Sequence, residues 1–430
     1  MSSTLFRCKP VYAFARQRRP FVLHRRPPDP VPSGLAELLE KHSHRPPTPL
    51  TLSTLLSLGR PPTPKSVLTS VSYVQAEIPR RLAQRVKSLQ ELPFIVGTNP
   101  FVARILEAHR TSFLWLATQP SVRTLEDNAD FISQLETLVQ SHANDIPTLA
   151  RGFQECTRYM SSTQISNFLD GAIRNRIAVR LLAEQHIALS RALNSSEEVM
   201  DRIGVVELAC SPAHTIKMCG AWVSELCEAT LGASPEITLD GDVDATFVYV
   251  PVHLEYIATE ILKNSFRATV EHHYKHHGMS SRGPIPPVII TVCPSRKLDG
   301  RSHIGLRIRD QGGGVSPANM ARIFSYAFTT ADRSTGREEI GGGPYAAQHV
   351  GGGAAVGVGS VGEGNLFEEM TGKGLQVGMG TIAGLGYGLP MSRLYARYFD
   401  GSLNLLSLDG WGSDVFVQLR CLDEAGEMEV

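Results

Sequence analysis

The chain has 430 residues, 42% of them hydrophobic, with 42 basic and 42 acidic side chains and a formal net charge of zero. That length points to two or three domains at roughly 150 residues each. The hydrophobic share excludes a disordered chain, and the balanced charge gives no support to bulk nucleic-acid binding. No apolar run approaches the roughly 18 residues that a membrane span needs. The seven cysteines, Cys8, Cys156, Cys210, Cys219, Cys227, Cys293 and Cys421, form neither C-x-x-C nor a zinc template, so reduced and mostly buried thiols are expected.

Residues 1–28 carry Arg7, Lys9, Arg16, Arg18, Arg19, Arg25 and Arg26, and the first acid is Asp29. Phe6, Tyr12, Phe14, Phe21 and Leu23 are interspersed. An arginine-rich, acid-free leader without a continuous apolar core predicts a mitochondrial transit peptide and a matrix location. Residues 29–65, preceded by Pro27-Pro28, hold Pro46-Pro47 and Pro61-Pro62 and read as a proline-rich extended linker with a short helix near Leu35 to Glu40.

From residue 66 the apolar period becomes helical. Leu82, Val86 and Leu89, then Ile165, Phe168 and Leu169, then Ile177, Leu181 and Leu182 recur at three- and four-residue steps. Four segments follow, 66–91, 99–118, 124–157 and 162–193, and their short connections predict an antiparallel four-helix bundle over 66–196. Pro93, Pro100, Pro120 and Pro147 fall near ends or kinks. His142, beside Asn144 and Asp145, is read as a structural hydrogen-bonding histidine rather than a phospho-acceptor.

The polar run Asn194-Ser195-Ser196-Glu197-Glu198 marks the boundary to a second domain over 197–425. There, helices are predicted at 212–230, 251–275 and 387–399. Strands are predicted at 236–240, 246–250, 287–293, 303–310, 402–407 and 413–420. That order predicts an α+β chain whose second half is a mixed sheet with helices on one face. Residues 331–383, with Gly341-Gly342-Gly343 and Gly351-Gly352-Gly353, read as a glycine-rich lid. His272-His273-Tyr274-Lys275-His276-His277 reads as a solvated helix end rather than a metal site.

Three signatures carry chemistry. Glu260 and Asn264 are four residues apart, so a helix lays them on one face. A carboxylate there can accept a proton, and a neutral amide oxygen suits Mg²⁺; Arg267 continues the polar face toward phosphate. Asp310 ends a strand and precedes Gln311-Gly312-Gly313-Gly314, where Gly312 and Gly314 let the backbone approach a ligand and the aspartate can accept the exocyclic N–H of adenine. Gly384-Leu385-Gly386-Tyr387-Gly388-Leu389 opens a helix and offers N–H groups to phosphate, without being a Walker or Rossmann loop. Each signature is weak alone; their order is specific.

The set resembles the Bergerat (GHKL) ATP-binding superfamily, and within it the mitochondrial α-ketoacid dehydrogenase kinases. The resemblance rests on residues 260–271 and 388–398, and in the helical half on Leu92 to Pro100, His142 to Thr148 and Arg176 to Leu182. It spans roughly residues 66–421. It implies a GHKL α/β sandwich after the bundle, and a mitochondrial protein-serine kinase that phosphorylates and inactivates the decarboxylase subunit of a branched-chain or pyruvate dehydrogenase complex. Carried over, Glu260 is the base and Asn264 the Mg²⁺ ligand. Lys263, Arg267, Asp310, Gly312, Gly314, Thr329, Thr330, Ser413 and residues Gly384, Leu385, Gly386, Tyr387, Gly388 and Leu389 line ATP. Backbone carbonyls of Ile323, Ser325 and Phe328 are the implied K⁺ ligands. The lipoyl domain of the acyltransferase core and a second copy of the chain are the implied partners. Tyr256 stands where pyruvate-type animal members carry histidine, as in the branched-chain type; Phe328 to Ala331 and Gly412 to Val415 lean the same way, while the lid is longer than in either. A histidine kinase or ATPase of the same superfamily would need an acceptor-histidine helix or a further domain. A non-catalytic scaffold would have lost Glu260 or Asn264.

Overall fold

The structure, a computed structural model, describes residues 34–60, 63–194, 201–278, 283–298, 301–326 and 386–422. The expected leader at 1–28 and lid at 331–383 lie outside them, as do Phe328, Thr329, Thr330, Gly384 and Leu385. The chain is α+β, with helices first and a mixed sheet after.

The stretch expected as an extended linker with a short helix near Leu35 to Glu40 carries that helix, α1 (Leu35–Ser43), and a second one that was not expected, α2 (Leu52–Gly59). Leu35, Leu39, Leu52 and Leu55 are buried at helical spacing between the prolines, and burial of that stripe overrides the proline content. Glu77 anchors the connection between them: it accepts from Thr48 Oγ1 at 3.1 Å and pairs with buried Arg81, whose Nη2 donates to Thr48 O at 2.6 Å.

α3 (Pro64–Gln90) starts on a Thr63/Ser66 capping box with Pro64 in its first turn, and buries Val67, Val71, Val74, Ile78, Leu82, Val86 and Leu89 along one stripe. A single turn, α4 (Phe94–Gly97), leads to α5 (Pro100–Thr118), capped by Asn99, whose Oδ1 accepts from Phe101 N at 3.0 Å. The segment expected as one helix over 124–157 is two, α6 (Leu125–Ser141) and α7 (Asp145–Glu155). The break falls at His142, the C-cap of α6. Pro147 then lies in the first turn of α7, where its missing N–H costs nothing. α8 (Ser162–Asn194) completes the helical half, and its Leu169, Ile173, Ile177 and Leu181 join the same core as α3.

Two sheets follow. β1 (Arg202–Ile203), β2 (Val206–Cys210) and β4 (Phe247–Tyr249) form a small one, so the strand expected at 246–250 lies outside the large sheet. β1 and β2 were not anticipated; two and five residues are too short to show alternation. β3 (Ile237–Gly241), β5 (Val288–Leu298), β6 (Arg301–Arg309), β7 (Ser402–Leu408) and β8 (Gly412–Arg420) form the large sheet in the order β3-β5-β6-β8-β7. The β3–β5 pair is parallel and the rest antiparallel. Register aligns Ile290 with Ile308 and Val415, and Val292 with Leu306, Val417 and Leu403, all buried on one face. α9 (Pro212–Leu231) and α10 (Pro251–His277) cover that face; Gly220 of α9 leaves room for the Ile237 side chain of β3. α11 (Pro317–Met320) and α12 (Gly388–Tyr398) complete the described residues.

Candidate functional site

α10 is the platform. Leu254, Ile257, Ile261 and Leu262 are buried as its apolar face, as expected. Glu260 and Lys263 are buried too, at 3% and 5% exposure, which no amphipathic pattern forecasts. They satisfy each other: Lys263 Nζ donates to Glu260 Oε1 at 2.5 Å. The other oxygen, Oε2, faces the start of α12. A Cβ at Gly388 would collide with it, so a side chain there would push the carboxylate aside. Asn264, one turn on from Glu260, is exposed, with its amide open to a ligand.

Asp310 follows β6 and is 5% exposed. Its Oδ1 accepts from Gly312 N at 2.9 Å and Ser413 N at 3.2 Å, and its Oδ2 accepts from Ser265 Oγ at 3.1 Å. Burial outweighs these hydrogen bonds and holds the carboxyl above its ordinary range. Ser265, adjacent to Asn264, is thus the strut between the two signatures. Sequence reasoning missed it because a serine inside a helix carries no signal of its own. Ser413 contributes its main chain, since its hydroxyl pairs with Ser407 at 3.0 Å. Ser407 Oγ also accepts from Val315 N at 2.7 Å, tying the glycine turn to β7.

The glycines have separate tasks. Gly312 packs against the α10 backbone at Ala268 and Thr269, where a side chain has no room. Gly314 has φ +72° and lies against Leu408 O. Gly386 has φ +73° and turns the chain into α12. Tyr387 is the N-cap of α12 and makes no side-chain capping bond, so the leading N–H groups of Gly388 and Leu389 have no side-chain acceptor from the cap.

The site touches the helical half. Tyr326 OH donates to Asp170 Oδ1 of α8 at 2.6 Å, and the Tyr326 ring packs 5.1 Å from that of Tyr387. Arg393 of α12 stacks 4.0 Å over Phe324. Tyr256, one turn before Glu260, is buried, and its hydroxyl points to Met391 Sδ at 3.5 Å. Arg267 is held by Glu271, Nε to Oε1 at 2.7 Å, one turn beyond Lys263. Ile323 is buried and Ser325 half-buried in the turns after α11.

The structure therefore brings together Glu260, Lys263, Asn264, Asp310, Gly312, Ser413 and Gly388 around one helix. A buried carboxylate, an open amide and a helix start without a side-chain cap are suited to binding a polyphosphate and receiving a proton beside it.

Known proteins resemble the chain in sequence. Residues 49–207 match the family described as mitochondrial branched-chain alpha-ketoacid dehydrogenase kinase. A mitochondrial pyruvate dehydrogenase (acetyl-transferring) kinase of Arabidopsis thaliana is 29% identical over 399 residues, covering 92% of this chain and 96% of its own. The Drosophila melanogaster protein of the same description is 28% identical over 413 residues, covering 92% and 87%. Isozyme 3 of that kinase from Homo sapiens is 29% identical over 407 residues, covering 91% and 86%.

Proposed function

We propose that the chain is a mitochondrial α-ketoacid dehydrogenase kinase, which transfers the γ-phosphoryl group of ATP to a serine of the decarboxylase subunit of a branched-chain or pyruvate dehydrogenase complex and inactivates it. One observation supports this most: Glu260 is buried with Oε1 held by Lys263 and Oε2 turned to the loop at Gly388. In this reading the serine oxygen attacks the γ-phosphorus, the bond to the β–γ bridging oxygen breaks, ADP leaves, and the serine proton passes to Glu260 Oε2. A polyphosphate arriving at Gly388 and Leu389 also offers Lys263 a second anion.

Asn264 fits the metal role, because an exposed neutral oxygen donor one turn from a carboxylate is what a partly hydrated Mg²⁺ accepts. The ion, when bound with ATP, neutralises charge on the transferring group. Asp310 receives the adenine amino group, with Gly312 and Gly314 beneath the base. Residues 386–389 wrap the phosphates, and Arg267, Thr329, Thr330, Gly384 and Leu385 complete the lining. The carbonyls of Ile323, Ser325 and Phe328 hold K⁺.

The finer architecture belongs to the same proposal: an antiparallel four-helix bundle of α3, α5, α6–α7 and α8 joined to a GHKL sandwich. So do the lipoyl domain of the acyltransferase core as anchor, a homodimer, and residence in the mitochondrial matrix. No helix among the described residues is long and apolar enough to cross a membrane.

The test is transfer of labelled phosphate from ATP to purified branched-chain and pyruvate complexes. The wild-type chain labels a decarboxylase serine in one of them. Glu260→Gln keeps its ATP affinity and loses about 10²- to 10⁴-fold in kcat. No label on either complex, or equal label with the variant, overturns the mechanism.

A further inference from the structure

We propose that His109, His142 and Asp145 form a structural site for one divalent transition-metal ion of the zinc class, which ties α5 to the turn between α6 and α7. Among the described residues this is the one group of three or more histidine, cysteine or acidic side chains whose ligand atoms all lie within 4.8 Å of one another. Its last residue, Asp145, precedes Glu260 by 115 positions, and the site stands independently of the kinase reading.

The donor atoms are already aimed. His142 Nδ1 is hydrogen-bonded to Asp145 Oδ2 at 2.8 Å, a proton position that an ion would take over, and His109 Nε2 lies 3.6 Å from the same oxygen. A tetrahedral ion with bonds of about 2.0–2.1 Å has an edge of about 3.4 Å, between those two values. The two rings meet edge-on with centroids 4.6 Å apart.

The outer nitrogens are fixed as well. His109 Nδ1 lies 2.9 Å from Ile105 O, a carbonyl that can only accept, so Nδ1 carries the proton and Nε2 presents a lone pair inward. His142 Nε2 lies 2.7 Å from Ser112 Oγ, which can accept an N–H there once an ion displaces the proton that Nδ1 shares with Asp145. Ligating histidines are held this way, with the second ring nitrogen donating to an outer partner. Without a cation, the His109 lone pair faces a carboxylate oxygen, acceptor against acceptor. His109 and Asp145 are 8% and 6% exposed, so water does little to relieve that opposition. His142 is half-buried and leaves a route for a water as fourth ligand.

The neighbouring cations set the selectivity. Arg85 and Arg176 are near enough to feel Asp145, but their nearest bonds go to Ser88 Oγ at 3.3 Å and Ala143 O at 3.2 Å. Two guanidinium charges disfavour a hard ion held by charge alone. Zn²⁺, Co²⁺ or Ni²⁺, which bond strongly to imidazole, compensate; Mg²⁺ and Ca²⁺ do not.

The experiment uses the full chain, stripped with a chelator and titrated with Zn²⁺ by calorimetry and with Co²⁺ by visible absorption. We expect one equivalent bound with an intense tetrahedral Co²⁺ spectrum, and a thermal midpoint higher with Zn²⁺ than with chelator. Asp145→Asn and His109→Gln abolish the spectrum, and Ser112→Ala weakens binding about 10- to 100-fold. His276→Ala, at the histidine-rich end of α10, changes nothing. Absence of the Co²⁺ spectrum in the wild type overturns the site even if the ligand variants fail to fold. Binding that survives Asp145→Asn, or that His276→Ala removes, also overturns it.

Discussion

Glu255 shows how one turn of α10 separates two carboxylates by environment. Glu260 has Lys263 at 2.5 Å, whereas Glu255 has an Oε2 that is buried without a partner. Burial pushes the Glu255 carboxyl up to about 7, against the pull of Arg202 and with a further push from Glu207. Because the folded value is raised above the ordinary 4.5, its stabilising contribution is full below about 4.5 and is lost as pH rises through about 7. Glu255→Gln should therefore stabilise the protein at pH 7.5 by about 2 kcal/mol, after discounting the buried amide it introduces. The gain should shrink toward zero near pH 4.5, and urea unfolding across that range measures it. A gain independent of pH rejects the assignment. Glu260, Asn264 and Asp310 were legible because each sits in a local signature. Ser265 and Ser407 were not, since they act by reaching residues 45 and 92 positions away, Asp310 and Val315.

Between elements, a contact of α8 with the chain just before residue 327 joins the helical half to the turn that leads into α12. Asp170 accepts from Tyr326 OH at 2.6 Å, and Tyr326 packs on Tyr387 at the entrance of α12. A hydrogen bond to a charged acceptor is worth about 1.5–3 kcal/mol. A double-mutant cycle with Asp170→Asn and Tyr326→Phe should give a coupling of about 1–2 kcal/mol in stability, and each single variant should weaken ATP binding several-fold by loosening Tyr387. Additive stability effects would show that the bond carries no coupling. Periodicity located α3, α5, α8, α9 and α10 to within three residues at either end. It failed where tertiary contact decides. α2 forms because its leucines reach the α3 core, and β4 leaves the large sheet because β2, too short to read, pairs with it through Glu207↔Tyr249 and Cys210↔Phe247.

At the scale of the molecule, each half buries a neutral histidine that no motif marks. His186 of α8 lies 2.9 Å from Asn128 Oδ1 and 3.1 Å from Ser70 Oγ, joining three helices. His253 of α10 lies among Tyr249, Tyr395, Tyr398 and Phe399. Burial holds His186 down to about 4 and His253 down to about 3, against an ordinary 6.5. The unfolded chain takes up these protons first, so their stabilisation is full above about 6.5 and is lost as pH falls toward 4. From pH 7.5 to 5.5 the pair costs about 3 kcal/mol, while protonated Glu255 returns about 2 over the same interval. Between those pH values the stability of Glu255→Gln should therefore fall by about 2 kcal/mol more than that of the wild type, in chemical unfolding followed by both tryptophan fluorescence and far-ultraviolet dichroism. The two signals should move together, since His186 loosens the helical half and His253 the sheet half over the same range. An acid loss confined to one signal would mean that only one of these histidines is protonated on unfolding.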